Sequence, residues 1–202
     1  MENLSKYMTQ NKTKRISLNS KNTLQVAKDI IYAGGVIIYP TDTLYGFGVD
    51  ARNESAINKL NKIKNRIGPL SVIAPDIKTV LKWAKVSPKD WKLVKKKLIG
   101  PTTIILPIKE NIVSSLILGQ DGSLGIRIPK HSFGPDLSNK LGFPITTTSV
   151  NRTNNKPLND PDDIIREFNG EFDLLIENGI LPESKGSTIY KLEKSKLTII
   201  RK

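Results

Sequence analysis

Four short motifs in this chain carry side chains that could bind small charged molecules. They are PTDTLYG at residues 40–46, KNR at 64–66, GIRIP at 125–129 and TSVN at 148–151. Each motif follows or ends an apolar run, so we expect each to lie where a strand leaves a sheet. Together they offer hydroxyls, amides and fixed positive charges, without an obvious acid–base pair. This combination predicts a site that binds phosphate and carboxylate groups.

Each motif taken alone also has a purely structural interpretation. The run from 40 to 48 reads as a loop after a strand, and its Thr41 and Thr43 could bind a polar ligand or only cap an ordinary turn. Lys64 and Arg66 could converge on a phosphate cluster, or they could be solvated charges at a helix C-terminus. Arg127 lies in an otherwise apolar strand, so it either faces solvent or reaches an anion. No single motif identifies the ligand.

Other kinds of catalytic machinery are missing from the sequence. The hydroxyl-rich run 146–151 either surrounds a nucleotide or forms an edge strand followed by a turn. His131 is the single histidine and cysteines are absent, so no Ser-His-Asp triad is compelling and no metal-ligand cluster is visible. There is also no Walker A pattern and no dinucleotide fingerprint. If the protein uses ATP, it does so without a P-loop.

Charge and length limit the class of protein. The 202 residues include 32 Lys and Arg against 19 Asp and Glu, which gives 32 − 19 = +13. This balance favours polyanionic partners such as RNA, or anionic small substrates, although a generally lysine-rich surface is the alternative. The first fifteen residues are polar and lack the apolar segment of a secretory signal, and no run is long enough to span a membrane. We predict a soluble, cytoplasmic protein with a flexible leader at 1–15 and one domain at 16–202.

Hydrophobic periodicity gives a coarse map of the elements. Helices are predicted at 22–33, 54–64, 76–84, 87–98 and 160–169. Strands are predicted at 36–39, 70–74, 103–108, 124–128, 145–148, 174–177, 187–192 and 197–201. Because helices and strands intermix without a linker or a repeat, we predict a single α/β domain of the α+β type, with helices flanking a twisted mixed sheet.

In this order the motifs resemble the YrdC family of threonylcarbamoyl-AMP synthases, over roughly residues 23–201. The matching set is Gly-Gly and a strand followed by PTDTLYG, then KNR with PLS, GPTT, GIRIP, TSVN, GSTI and a terminal arginine. The resemblance implies the YrdC-like fold with a basic concave face. It also implies formation of L-threonylcarbamoyladenylate and pyrophosphate from L-threonine, bicarbonate or CO₂, and ATP, for the t6A37 modification of tRNA.

The resemblance also assigns roles to residues. The Lys, Arg, Ser and Asn of the family correspond to Lys64, Arg66, Ser149 and Asn151. Lys64 and Arg66 are then the catalytic residues on the triphosphate. The other implied nucleotide contacts are Thr103, Ser149, Asn151 and Arg201. The implied threonine contacts are Thr41, Arg127, Thr147 and Ser187, with Arg127 on the carboxylate. Mg²⁺ would be carried mainly by the ATP phosphates, and no protein metal ligand is assigned.

Departures from the family pattern and rival interpretations accompany this hypothesis. The segment from Arg66 to Pro69 is short, Val150 replaces the usual alanine, and residues 153–155 replace a small Ser-Gly pair, so no role is carried over to Asn154 or Asn155. The expected partners are ATP, threonine, bicarbonate and a downstream threonylcarbamoyl-transferring complex. A contact with tRNA or another RNA is a further expectation, and no membrane partner is expected. The rivals are a non-catalytic RNA-binding module and a carbamoyl-adenylate enzyme acting on another substrate.

Overall fold

Ten strands form one mixed sheet, and six helices pack against it in the computed structural model, which describes residues 13–202. The strands are β1 (Lys14–Ser17), β2 (Ile37–Pro40), β3 (Tyr45–Gly48), β4 (Ser71–Ile73), β5 (Thr102–Pro107), β6 (Ser123–Arg127), β7 (Ile145–Ser149), β8 (Leu174–Glu177), β9 (Thr188–Glu193) and β10 (Lys196–Arg201). The helices are α1 (Thr23–Tyr32), α2 (Glu54–Lys64), α3 (Ile77–Trp83), α4 (Pro88–Lys95), α5 (Phe133–Leu141) and α6 (Pro161–Phe168).

The strand order is β1-β8-β2-β3-β7-β4-β6-β5-β9-β10. Parallel pairs (β1 with β8, β2 with β8, β4 with β6, β5 with β9) mix with antiparallel ones. The predicted single α/β domain with a mixed sheet is therefore confirmed. None of the helices in the described part of the chain is both long and apolar enough to cross a membrane.

Two hydrophobic layers hold the helices to the sheet. One cluster joins α1 and α5 to β2 and β8 through residues such as Ile31, Leu137 and Tyr39. The larger cluster lies against α2 and α6 and includes Leu60 and Phe168. Because residues alternate between the two faces of a strand, these two clusters bury both faces of much of the central sheet.

Local capping explains where several helices begin. Asn53, Asp76, Ser87 and Asp160 each precede a helix and accept a backbone N–H bond from its first turn. Such caps satisfy donors that would otherwise lack a partner. The predicted helices accordingly begin within one residue of the observed positions, and the helix predicted at 54–64 matches α2 at both ends.

Three elements lie where the sequence pattern predicts none. β3 occupies residues of the predicted loop 40–48, because a strand with two glycines has a weak strand signature. α5 carries Gly134 and Pro135 in its first turn, which obscures its periodicity. β1 is short and polar, and its Arg15 pairs with Asp162 and Glu177.

Two residues of the predicted leader at 1–15 lie in a strand. Lys14 and Arg15 pair in parallel with β8. The rest of that predicted leader, up to residue 12, lies outside the described residues.

Candidate active site

A single cavity of about 430 Å³ brings together all the site residues that the sequence analysis selects. These residues come from seven different segments of the chain. They are Thr41, Lys64, Arg66, Thr103, Arg127, Thr147, Ser149, Asn151, Ser187 and Arg201. The distant hydroxyl, amide and cationic groups therefore share one hollow, which is the arrangement their assignment requires.

The floor of the cavity follows from strand register. Thr147 of β7 lies opposite Ser71 of β4, and Ser71 lies opposite Gly125 of β6. A Cβ atom at Gly125 would lie 2.5 Å from the Ser71 hydroxyl oxygen, so only glycine fits there without displacing Ser71. A Cβ atom at Gly46, which pairs with Ser149, would lie 3.2 Å from the Thr147 hydroxyl oxygen, a tight contact that a small shift could relieve. Small residues on neighbouring strands thus leave room above the sheet.

Lys64 enters the cavity from the last residue of α2. Its Nζ donates to the Ser149 carbonyl (2.5 Å), the Asn151 carbonyl (2.9 Å) and the Asn151 Oδ1 (3.0 Å), and it lies 5.6 Å from the Phe47 ring centre. These three acceptors match the three N–H groups of the ammonium. Burial, followed by the charge of Arg66, lowers the Lys64 pKa to about 8. Lys64 therefore ties α2 to the end of β7 and supplies charge beneath the cavity.

Arg66 reaches the cavity from its rim. Asn65 ends α2 in the left-handed conformation with φ of 52°, which asparagine tolerates better than most residues. The chain then turns, and the half-buried Arg66 donates from Nη2 to the Pro69 carbonyl at 3.1 Å. This is the side-chain hydrogen bond of Arg66 to described residues, so Arg66 could move onto a ligand with little loss of existing bonds.

The segment after β7 is held by side-chain bonds. Ser149 Oγ donates to Asn151 Oδ1 at 2.7 Å, and Asn151 Nδ2 donates to the Asn155 carbonyl at 2.8 Å. Thr153 donates through both its amide and its hydroxyl to the Lys64 carbonyl, which completes the C-terminus of α2. The 153–155 departure from the family pattern is thus part of the scaffold, and Asn154 lines the cavity.

Arg127 does not face open solvent and is 6% exposed. Its Nη2 donates to Asp42 Oδ1 at 2.5 Å, and both terminal nitrogens lie 3.3 Å from the Thr43 hydroxyl. Its Nε has no partner among the described residues. Burial lowers the pKa of Arg127, while Asp42 acts in the opposite direction. A guanidinium on a cavity wall whose Nη1 makes only a long contact is suited to an anionic ligand.

The remaining predicted residues form two smaller clusters. Thr103 and Ser187 share a hydroxyl–hydroxyl bond of 2.7 Å, and Arg201 donates to the Ser187 carbonyl at 3.0 Å. The Thr41 hydroxyl donates to the Leu44 carbonyl and accepts the Leu44 amide, so it organises the β2–β3 turn while lining the cavity.

Two charged residues of this site are missed by the sequence analysis. Asp42 lies inside PTDTLYG, but nothing in the local sequence signals that it pairs with Arg127. Lys185 adjoins GSTI and lines the cavity. With Lys64, Arg66, Arg127 and Arg201 it brings five cations to a wall on which no described residue is a carboxylate. Nor do the described residues include three His, Cys, Asp or Glu side chains arranged to hold a metal.

Comparison with known proteins identifies a family model and similar relatives. Residues 29–202 match the model of the Sua5/YciO/YrdC family, whose description reads telomere recombination. A protein of Methanocaldococcus jannaschii named "Putative threonylcarbamoyl-AMP synthase" is 38% identical over 183 residues, which cover 90% of this chain and 86% of that protein.

Solved structures share the fold. Escherichia coli YciO matches with a TM-score of 0.82 at 23% identity and 96% coverage of both chains. Sua5 of P. abyssi, solved with L-threonine, matches with a TM-score of 0.82 at 24% identity. The match covers 94% of this chain and 56% of that one, so this chain spans little more than half the length of that Sua5. MTH1692 of Methanobacterium thermoautotrophicum is 28% identical with a TM-score of 0.73 and coverage of 93% and 89%.

Proposed function

This chain belongs to the Sua5/YciO/YrdC family, and on that basis we propose that it is an L-threonylcarbamoyladenylate synthase, a nucleotidyltransferase. One observation carries the proposal: a single cavity gathers five cations with the hydroxyls and amides selected from the sequence. Such a wall complements a triphosphate beside an amino-acid carboxylate. The threonylcarbamoyl-AMP synthase name of the M. jannaschii relative and the L-threonine complex of Sua5 support the same choice.

The proposed reaction needs positioning more than a protein nucleophile. The threonine amine adds to CO₂ and loses a proton, giving an N-carboxylate. One carboxylate oxygen then forms a bond to the α-phosphorus of ATP while the bond from that phosphorus to the β-phosphate oxygen breaks, and pyrophosphate leaves. Because the nucleophile belongs to the substrate, the protein has to hold the groups in line and neutralise charge.

The proposed roles are those that the family resemblance implies, given to groups that line the cavity. We assign Lys64 and Arg66 to the triphosphate and its developing charge. Ser149, Asn151, Thr103 and Arg201 would hold the rest of the nucleotide. Arg127 would bind the threonine carboxylate, in a pocket shaped by three hydroxyl residues on the same wall. These are Thr41, Thr147 and Ser187.

The oxygen atoms that line the cavity indicate how Mg²⁺ would be coordinated there. Hydroxyl and amide oxygens line it, and the described lining has no carboxylate. That donor set suits an ion that is coordinated mainly by the phosphates of ATP, which is how Mg²⁺ often binds. When bound, the ion would neutralise part of the phosphate charge. The product would then pass to an enzyme that transfers the threonylcarbamoyl group to tRNA.

The direct test is pyrophosphate release with ATP, L-threonine and bicarbonate, omitting each component in turn. We expect release only when all three are present. We also expect ATP and threonine to raise the melting temperature, since ligands that bind only the folded state stabilise it. Release without threonine, or no release with all three, would contradict the proposal.

An RNA contact is a second property that one observation favours. The segment containing α3 and α4 exposes eight lysines against a single carboxylate, Asp90, within residues 78–97. They are Lys78, Lys82, Lys85, Lys89, Lys92, Lys95, Lys96 and Lys97. A purely RNA-binding protein would bind RNA with a steep dependence on salt. The pyrophosphate and melting-temperature measurements distinguish such a protein from a synthase. With a purely RNA-binding protein, ATP and threonine would not react and would not raise the melting temperature.

The lowered pKa of Lys64 predicts a pH dependence of ATP binding. Below about pH 8 Lys64 is already charged in the free protein. Above that pH the free amine is neutral, and a bound polyphosphate would raise its pKa by favouring the charged form. ATP affinity should therefore fall as pH rises above about 8, with proton uptake on binding. Calorimetry at pH 8.5 in two buffers of different ionisation enthalpy measures this uptake. The proton uptake should disappear in Lys64→Met. Equal uptake in the wild-type and Lys64→Met proteins would exclude Lys64 as the group that takes up the proton.

A further inference from the structure

The ion pair between Asp42 and Arg127 connects two parts of the cavity wall that are far apart in sequence. Asp42 lies in the turn between β2 and β3, and Arg127 is the last residue of β6. Their side chains are 12% and 7% exposed, so the pair is largely removed from water. Since a buried charge without a partner is costly, this contact restricts where the Arg127 guanidinium can lie.

The second oxygen of Asp42 has a separate partner. Asp42 Oδ2 accepts the backbone N–H of Lys130 at 2.8 Å, while Oδ1 takes Arg127. The Lys130 N–H is a backbone group just beyond β6. Its position is therefore fixed by the main chain, and rotation of the Asp42 side chain would break this hydrogen bond. With one oxygen bound to the backbone and the other to the guanidinium, the carboxylate holds a defined orientation.

The donors that remain on Arg127 point to what this orientation is for. Nη2 is taken by Asp42, and the Thr43 hydroxyl lies 3.3 Å from both Nη1 and Nη2. Nε is buried and has no partner in the described part of the chain. Since Nε is enclosed by protein atoms, a ligand carboxylate in the cavity that Arg127 lines could take Nη1, whose contact with Thr43 is long, while Asp42 keeps the guanidinium fixed.

We propose that Asp42 is a positioning residue that orients Arg127 and thereby sets the affinity of the site for the carboxylate of its amino-acid substrate. This rests on the proposed function in taking L-threonine as that substrate. Two physical effects of Asp42 have opposite signs. Its negative charge opposes the binding of another carboxylate, whereas its fixed hydrogen bonds place the guanidinium that binds it. Positioning is the larger effect in this proposal.

Asp42→Asn separates the two effects. It keeps the size of the side chain but removes the charge that fixes the guanidinium. We expect the KM for threonine and the calorimetric Kd for threonine to rise at least about tenfold, the scale of a small misplacement in a site. The KM for ATP should stay within about twofold. Tighter or unchanged threonine binding would overturn the proposal, because charge relief would then be the stronger effect.

Asp42→Glu and a matched control complete the test. Asp42→Glu keeps the charge and the ion pair but lengthens the side chain, so weaker threonine binding is expected here too, and unchanged binding would contradict positioning. Asp50→Asn is the control, since Asp50 also pairs with an arginine, Arg52, but lies outside the cavity lining. It should leave both KM values unchanged.

The two levels of the hypothesis fail in different ways. If the wild-type protein releases no threonine-dependent pyrophosphate, the proposed function fails. If the wild type is active and Asp42→Asn binds threonine as tightly as it does, only the role of Asp42 fails.

Discussion

Arg66→Ala is expected to lower pyrophosphate release at least about 100-fold, the scale of losing one main donor to transition-state charge. Arg66 lies at the rim of the cavity and its single side-chain bond goes to the Pro69 carbonyl, so the substitution should leave the fold intact. Steady-state kinetics with all three substrates measures the loss. Lys64→Ala is a less specific test, because it also leaves the Ser149 and Asn151 carbonyl oxygens without their donor and so affects the fold.

Lys62→Ala provides the matched control for Arg66→Ala. Lys62 is an exposed cation in the last turn of the same helix and does not line the cavity. It should retain wild-type turnover. The turnover of Arg66→Lys should lie between those of Arg66→Ala and Lys62→Ala, since lysine keeps the charge but not the planar guanidinium. Turnover within about threefold of wild type in a folded Arg66→Ala protein would remove Arg66 from the catalytic machinery.

Arg127→Ala is expected to abolish measurable threonine binding and to lower the free energy of unfolding by about 3–5 kcal/mol. The second effect follows because Asp42 would remain buried without its cationic partner. ATP binding should change far less, since the assigned phosphate contacts come from Lys64 and Arg66. Calorimetry with each ligand and urea unfolding measure the two effects separately.

Arg52→Ala tests whether the loss of threonine binding follows from instability alone. Arg52 pairs with the largely buried Asp50 and stacks 3.6 Å from the Phe143 ring centre, outside the cavity lining. Its loss should reduce stability without reducing threonine affinity. Equal weakening of ATP and threonine in Arg127→Ala would refute the assignment of Arg127 to the carboxylate.

Local physical chemistry accounts for much of the fold. The α2 helix and the β8 strand match their predicted ranges because each combines a clear apolar pattern with defined ends. The elements that sequence patterns miss are those whose local signal conflicts with their structure. β3 contains two glycines, and α5 has a glycine and a proline in its first turn. In both cases burial against neighbouring strands and helices overrides weak local preference.

Which chemical groups are available can be read from the sequence: hydroxyls, amides and cations at the ends of predicted elements, in an order typical of one family. Which of these groups meet depends on the tertiary structure. Arg127 binds Asp42 across 85 positions of the chain, and Lys64 binds the Ser149 carbonyl across the same separation. Periodicity reports which face of an element is buried, but it carries no information on strand order or register. Those depend on how whole surfaces pack, and they determine which donor is left free for a ligand.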